Sequence, residues 1–312
     1  MLTHHSIAVV GGGVGGTHAV FYARRVSEKA TIILFEARKK FENYSCAGGL
    51  SRFMIEYSGL DVPDRFIERK IWRFMICGPT KFAYFDFSSD EEPVGVTIDR
   101  LGWDRYLFKK ASKEADVVIS KPVIRAKILK RFALVATGDE TIVTRYAIAA
   151  DGPMSTVARS VGFWRKVNPN NMHIGVQWEL KLPEFPEDTI VLWFNPKYAP
   201  KGYVWAFPIK RKYVRVGLGI TLKEARKRSP EDYLKQFVEE ILEVEEPKIR
   251  SKQGGLIPTA KPPRWSHKGP FLFVGDAARH TDPLHGGGIA NAAVGGKLAG
   301  TVAGFGLPPK AY

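Results

Sequence analysis

The sequence predicts an α/β protein in which a doubly wound, Rossmann-type nucleotide-binding domain is interrupted by an α+β domain built on an antiparallel sheet. Near the N-terminus, Ile7-Ala8-Val9-Val10 runs into Gly11-Gly12-Gly13-Val14-Gly15-Gly16, and Glu36 ends the next apolar run. That is the strand, glycine turn, helix, strand and acid order of a dinucleotide site. Near the C-terminus, Phe271-Leu272-Phe273-Val274 runs into Gly275-Asp276-Ala277-Ala278, then Pro283 and Gly286-Gly287-Gly288-Ile289. One glycine motif indicates only that some dinucleotide binds. A second strand and Gly-Asp loop at the far end indicates a larger cofactor held at both ends, FAD rather than NAD. Between the two, a different texture starts after Arg159, with Val-, Ile- and Trp-rich runs broken by Pro-containing loops.

Residues 6–10 read as a buried parallel strand from their apolar, β-branched content. Residues 14–26 are helical, with Gly15, Gly16 and Ala19 where a helix can approach a strand closely, and residues 31–35 close the βαβ unit. Asp99-Arg100-Leu101-Gly102 leads into a helix over 103–114. Strands are expected at 117–119, 127–135 and 141–149, with a turn at Gly138-Asp139. Segments 172–182, 189–195, 202–209 and 213–220 read as antiparallel strands. Residues 230–243 form an amphipathic helix capped by Ser229 with Pro230 in its first turn. The cofactor texture returns at Phe271. The expected division is a cofactor domain of residues 1–75, 95–160 and 265–312 and a substrate domain of residues 76–94 and 161–264.

At 312 residues the chain buries a substantial core. No apolar run approaches the roughly 20 residues that span a bilayer, and no signal peptide is legible. Cys46 and Cys77 are too few for a disulfide framework, so the expectation is a cytoplasmic protein. The net charge of +15, from 47 basic and 32 acidic side chains, favours anionic partners, including phosphates and an acidic membrane surface at its inner face, or is a solvated basic surface with no such partner. No helix-turn-helix, zinc spacing or RNP-like segment accompanies the charge, so nucleic acid is not expected, and no histidine spacing suggests a metal.

Gly11, Gly13 and Gly16 permit a tight turn and close approach of backbone to a pyrophosphate at a helix N-terminus, with Val14 and Gly15 in its first turn. Glu36 has the spacing for adenosine ribose hydroxyls. Asp276 after Gly275 offers a carboxylate to sugar-like hydroxyls. Gly286, Gly287 and Gly288 before Ile289 present N–H groups and a positive dipole end to the electron-rich edge of a reduced flavin. Tyr203, Trp205 and Phe207 share one face of a strand, which a core and a pocket wall explain equally. Taken alone, Cys46 reads as a proton donor, a redox switch or a small buried residue. His280 and His285 flank the second glycine segment as candidate proton donors, although loop histidines beside a cofactor are often structural.

With Asp99-Arg100 and Asp151-Gly152-Pro153-Met154-Ser155 followed by Arg159, the chain resembles the flavoprotein group of para-hydroxybenzoate-hydroxylase-like monooxygenases and geranylgeranyl reductases. Two segments select the reductases. Phe41-Glu42-Asn43-Tyr44-Ser45-Cys46-Ala47-Gly48-Gly49 is similar to their Cys-Gly-Gly-type active-site segment, and Tyr203-Val204-Trp205-Ala206-Phe207-Pro208 to their Y-x-W-x-F-P motif. The resemblance implies an archaeal-type enzyme that saturates isoprenoid double bonds with reduced FAD. Arg100, Asp151, Gly152, Pro283 and Ala47 then belong to the flavin site, Cys46 is the active-site thiol, and Gly48, Gly49, Tyr203, Trp205, Phe207 and Pro208 line the isoprenoid pocket. The substrate is an isoprenoid lipid or its diphosphate, and the electron donor is a ferredoxin or NAD(P)H.

Two departures stand out. Cys-Ala-Gly-Gly replaces Cys-Gly-Gly, and the chain stops at Tyr312, where full-length members carry a further helical segment that helps close the substrate cavity. The expectation is a short branch with a more open pocket, or a truncated chain. The alternative functions are an aromatic-ring monooxygenase using NAD(P)H and oxygen, and a non-catalytic flavin-binding lipid carrier.

Overall fold

The computed structural model describes residues 6–39, 41–42, 46–164 and 168–312. They form two compact units: Met1–Phe41, Asp104–Val167 and Pro258–Tyr312 make the first, and Glu42–Trp103 with Asn168–Ile257 the second. Residues 46–75 and 95–103 thus lie with the antiparallel strands of the second unit.

The first unit is built on a six-stranded sheet in the order His267–Lys268, Phe271–Phe273, Tyr146–Ala149, Ser6–Val10, Thr31–Phe35 and Val117–Ile119. The pairs are parallel apart from the edge hairpin His267–Lys268 with Phe271–Phe273. Every residue of Ser6–Val10 is buried, because both faces of the sheet are covered. Ile7 and Val9 pack into one core with Ile32, Leu34 and the helix Val14–Val26. Ala8 and Val10 point the other way, against Phe35, Phe271 and Trp164. On the first of these faces, Val14–Val26 packs along the helix Ile289–Gly304. Small residues one turn apart, Gly296, Gly300 and Gly304, meet Gly15, Ala19 and Ala23, and a methyl group at Gly300 would collide with the Ala19 carbonyl.

The expected strand over 127–135 is instead a hairpin, Arg125–Leu129 and Phe132–Ala136, because Lys130 takes a left-handed turn at φ 51°. The run 141–149 also divides. Thr141–Thr144 joins that hairpin in a three-stranded antiparallel sheet, and Tyr146–Ala149 enters the parallel sheet.

The second unit is a seven-stranded sheet in the order Ile249–Ile257, His173–Lys181, Tyr213–Thr221, Tyr203–Ile209, Thr189–Trp193, Arg73–Cys77 and Phe82–Asp86. It is antiparallel except where Thr189–Trp193 runs parallel to Arg73–Cys77. One face packs Trp178, Val204, Val216 and Leu218 against Leu234, Phe237 and Val238 of the helix Pro230–Glu240. Ser229 caps that helix, its hydroxyl accepting from Glu231 N–H at 3.2 Å. The helix stops at Glu240 rather than 243, shortly before Glu243 turns left-handed at φ 55°. The other face of the sheet carries Trp205, Ile190 and Leu192, packed with Tyr203, Phe207, Phe74 and Ala47. A small sheet of Gly49–Ser51, Gly95–Ile98 and Ile67–Ile71 completes the unit. The helix expected over 103–114 opens earlier, at Arg100, because the Asp99 carboxylate accepts Gly102 N–H at 3.0 Å as its cap.

Candidate active site

In the first unit, the turn after Ser6–Val10 brings the predicted glycines together. Gly11 adopts φ 104°, donates to Phe35 O at 2.8 Å and lies so close to the Ala150 carbonyl that no side chain fits. Gly13 is the N-cap of Val14–Val26; it supplies no side-chain cap, and open space surrounds the position a Cβ would take. Val14, Gly15 and Gly16 are buried in the first turn. The helix therefore opens with uncapped N–H groups next to free volume, which is what a pyrophosphate requires.

Glu36, 4% exposed, accepts Gly12 N–H at 2.8 Å, while Arg38 meets both its oxygens at 2.8–2.9 Å. Burial would raise its pKa, but the Arg38 hydrogen bonds and charge, with the Gly12 N–H, outweigh that and hold the carboxyl below the ordinary range.

Gly275 turns left-handed at φ 59°, and Asp276 accepts the Thr281 hydroxyl at 2.9 Å. The following loop is folded on itself. Gly286 N–H donates to Asp282 O at 2.9 Å, Gly287 N–H to His285 Nδ1 at 3.1 Å, and Pro283 sits exposed in the turn between them. Gly288 is the N-cap of Ile289–Gly304, again without a side-chain cap. His280 pairs with Ser266 Oγ at 3.0 Å, and burial pushes its pKa down. It borders a pocket of about 430 Å³ with Arg279, Asn291, Leu298 and Tyr312. His285 is exposed, 3.5 Å from Asp282.

Asp151 braces the start of the short helix Thr156–Ser160, whose N-cap is Ser155. Its two oxygens accept the Ser155 hydroxyl at 2.5 Å and Val157 N–H at 3.0 Å, and burial raises its pKa despite them. Gly152, at φ 78°, has open space over its Cα, and Arg159 donates to Ser155 O at 3.3 Å.

The second unit assembles the thiol and the aromatics. Asn43, Tyr44 and Ser45 of the expected active-site segment lie outside the described residues. Cys46 Sγ accepts Arg100 Nη1 at 3.2 Å and Gly48 N–H at 3.3 Å. Gly48, at φ 77°, passes the chain into the small sheet, where the Phe207 ring lies against Gly49. Tyr203 and Trp205 meet edge to face at 5.9 Å, and Phe194 stacks on Tyr203 at 5.2 Å. Pro208, one residue beyond Phe207, belongs to the other side of the strand and contributes its carbonyl to Thr97 Oγ1 at 2.7 Å.

Residues the sequence reading did not single out hold this loop in place. Arg215, 6% exposed, donates from Nη1 to Ala47 O at 3.2 Å and Ile98 O at 3.0 Å. Its other nitrogens meet Glu179 at 3.0 Å and Glu68 at 2.8 Å. Burial would raise the Glu179 pKa, but Arg215 and Arg250 bring it below normal, whereas burial leaves that of Glu68 raised despite Arg215. Gln177, wholly buried, donates to Cys46 O at 3.0 Å and accepts Trp205 Nε1–H at 3.1 Å. The available signal was a polar residue inside an apolar strand, Gln177 and Glu179 in His173–Lys181 and Arg215 in Tyr213–Thr221.

Residues 171–257 match the geranylgeranyl reductase catalytic domain family. The chain is 30% identical over 310 residues to digeranylgeranylglycerophospholipid reductase 2 of Methanothermobacter thermautotrophicus, a match covering 96% of this chain and 77% of the relative. It is 31% identical to digeranylgeranylglycerophospholipid reductase of Methanosphaerula palustris, covering 97% and 77%. Among solved structures, a geranylgeranyl bacteriochlorophyll reductase-like protein of Thermoplasma acidophilum superposes with a TM-score of 0.86 at 26% identity, over 96% of this chain and 78% of that one. With two relatives at this identity along almost its whole length, the chain belongs to the digeranylgeranylglycerophospholipid reductase family of oxidoreductases.

Proposed function

We propose that this chain is an FAD-dependent reductase that saturates the C=C bonds of geranylgeranyl chains in isoprenoid lipids or their diphosphate precursors. The observation that carries the reading is the packing of Tyr203, Trp205 and Phe207 with Ala47 of the cysteine loop on one sheet face, in a chain whose relatives are named for this lipid class.

The residues fit FAD. Two helices open at glycines without side-chain caps, suiting Gly13, Val14, Gly15 and Gly16 to a pyrophosphate and Gly286, Gly287, Gly288 and Ile289 to the flavin ring edge. Glu36 and Asp276 suit sugar hydroxyls, and Arg100, Ala47, Asp151, Gly152 and Pro283 complete the proposed cofactor set. Bound FAD, once reduced, supplies hydride.

The protein's own groups do the rest. An isolated trisubstituted alkene has no carbonyl to polarise, so cationic character develops at its tertiary carbon and a proton must arrive at its neighbour. The faces of Tyr203 and Trp205 exclude water and stabilise that carbon by a cation–π effect of about 1–2 kcal/mol. Cys46, held by Arg100 and Gly48, is the proposed active-site thiol. A ferredoxin or NAD(P)H supplies electrons, and the basic surface rests on anionic lipid at the cytoplasmic face of the membrane. No helix among the described residues is long and apolar enough to cross it.

The test is anaerobic: reduce the flavin-loaded protein chemically, add digeranylgeranyl glycerophospholipid or geranylgeranyl diphosphate, and follow mass and flavin spectrum. Gains of about two mass units per bond with flavin reoxidation support the reading. Flavin that stays reduced with both lipids overturns it.

A further inference from the structure

We infer that Gln177 is a positioning residue that couples the Cys46 loop to the aromatic wall, an inference that rests on the reductase reading above. Gln177 stands on the strand His173–Lys181, opposite Gly217 on one side and Gln253 on the other. Its amide is fully used. Nε2 donates to Cys46 O at 3.0 Å and to Gln253 Oε1 at 2.7 Å, while Oε1 accepts the Trp205 indole N–H at 3.1 Å.

The orientation has one solution. Turning the amide over would point N–H groups at the indole N–H and aim the oxygen at two acceptors. Such a mismatch at a fully buried amide forfeits all three bonds. The indole reaches Gln177 because the facing residue is Gly217, where a Cβ would come within 2.6 Å of Trp205 Cζ2. One amide therefore spaces the backbone of the thiol loop from the indole of the aromatic wall. Arg215 holds the next carbonyl, Ala47 O. Gln177 is hydrogen-bonded to both features, beside the direct packing of Trp205 with Ala47, so displacement of the indole reaches Cys46 through it.

The test uses thiol alkylation on the full-length protein as purified, with Cys77 as the internal reference and peptide mass mapping to count each site. Gln177→Met removes both ends of the link, Gln177→Glu keeps the acceptor for Trp205 and loses the donors, and Trp205→Phe removes the indole N–H. We expect Gln177→Met and Gln177→Glu to raise the Cys46:Cys77 alkylation ratio at least about fivefold, the factor that accompanies loss of one buried hydrogen bond. Trp205→Phe raises it about twofold, and the double variant Gln177→Met/Trp205→Phe raises it no further than Gln177→Met alone, since the shared link is already gone. An unchanged ratio in folded Gln177→Met or Gln177→Glu protein overturns the inference, as do multiplicative effects of Gln177→Met and Trp205→Phe. The ratio needs neither lipid nor flavin turnover. A chain that shows the coupled ratio but never reduces an isoprenoid overturns the function and leaves the coupling standing.

Discussion

Replacing Arg215 with Met removes a guanidinium that is hydrogen-bonded to Glu179 and two backbone carbonyls and ion-paired with Glu68. Breaking a buried ion pair by deleting one partner costs about 3–5 kcal/mol, mostly for the charge left behind. Glu179 keeps Arg250 at 2.8 Å, but Glu68, whose side chain is 10% exposed, loses its ion-pair partner. The lower end, about 3 kcal/mol at pH 8, is therefore expected. The loss must also depend on pH. The folded pKa of Glu68 already lies above the unfolded value of 4.5, so the folded chain binds the extra proton and stability falls as pH rises through that window. Without Arg215 the folded value climbs further, and each added pKa unit enlarges the deficit at high pH by about 1.4 kcal/mol. Glu179 moves in the same sense. Guanidinium unfolding followed by the summed fluorescence of the seven tryptophans should show a small deficit at pH 5 and the full one at pH 8. Adding Glu68→Gln should restore at least half of it. A deficit under about 1 kcal/mol at pH 8, or one equal at both pH values, would refute the assignment of Arg215 as the charge that makes burial of these carboxylates tolerable.

Two further predictions concern the first unit. Gly300→Val drives a side chain into the Ala19 carbonyl and separates two helices that touch along their backbones, so a loss of about 3 kcal/mol is expected from overpacking; an unchanged thermal midpoint would show that the contact yields easily. Gly13→Val places its side chain in open space at φ −76° and ψ −173°, so the flavin-free protein should lose less than about 1 kcal/mol. The same side chain fills the volume assigned to the pyrophosphate, so FAD affinity should fall at least about tenfold in a fluorescence titration, and undiminished affinity would move the phosphates elsewhere.

Legibility in the sequence followed the range of the interactions. The βαβ unit and the second Gly-Asp loop were readable because their signals, apolar runs ending in glycines, lie within a few residues of the structure they dictate. The helix over 100–114 was placed three residues late because its cap is a carboxylate, Asp99, one residue before its true start. The hairpin at Lys130 was missed because a left-handed lysine carries no turn signature. The parallel pairing of Arg73–Cys77 with Thr189–Trp193 joins segments far apart in the chain, and no local pattern announces it. The aromatic row of Tyr203, Trp205 and Phe207 was visible as period-two spacing, which alone does not separate a core from a pocket wall.

The polar residues on that same face support the proposed pocket wall over a plain core. Gln177, Glu179 and Arg215 would read as solvent-facing positions on half-buried strands, yet each is at least nine-tenths buried. A sheet face meant only to pack would gain by replacing them with apolar side chains, because a buried ion pair is often no more stabilising than a hydrophobic substitute. Here the hydrogen bonds of Gln177 and Arg215 end on the carbonyls of Cys46 and Ala47 and on the indole of Trp205, while Glu179 holds Arg215. The stability forgone goes into fixing a thiol-bearing loop against an aromatic surface, a trade that a core does not need and a reaction site does. That destination, rather than the aromatic spacing, is what supports the pocket wall proposed for the strand.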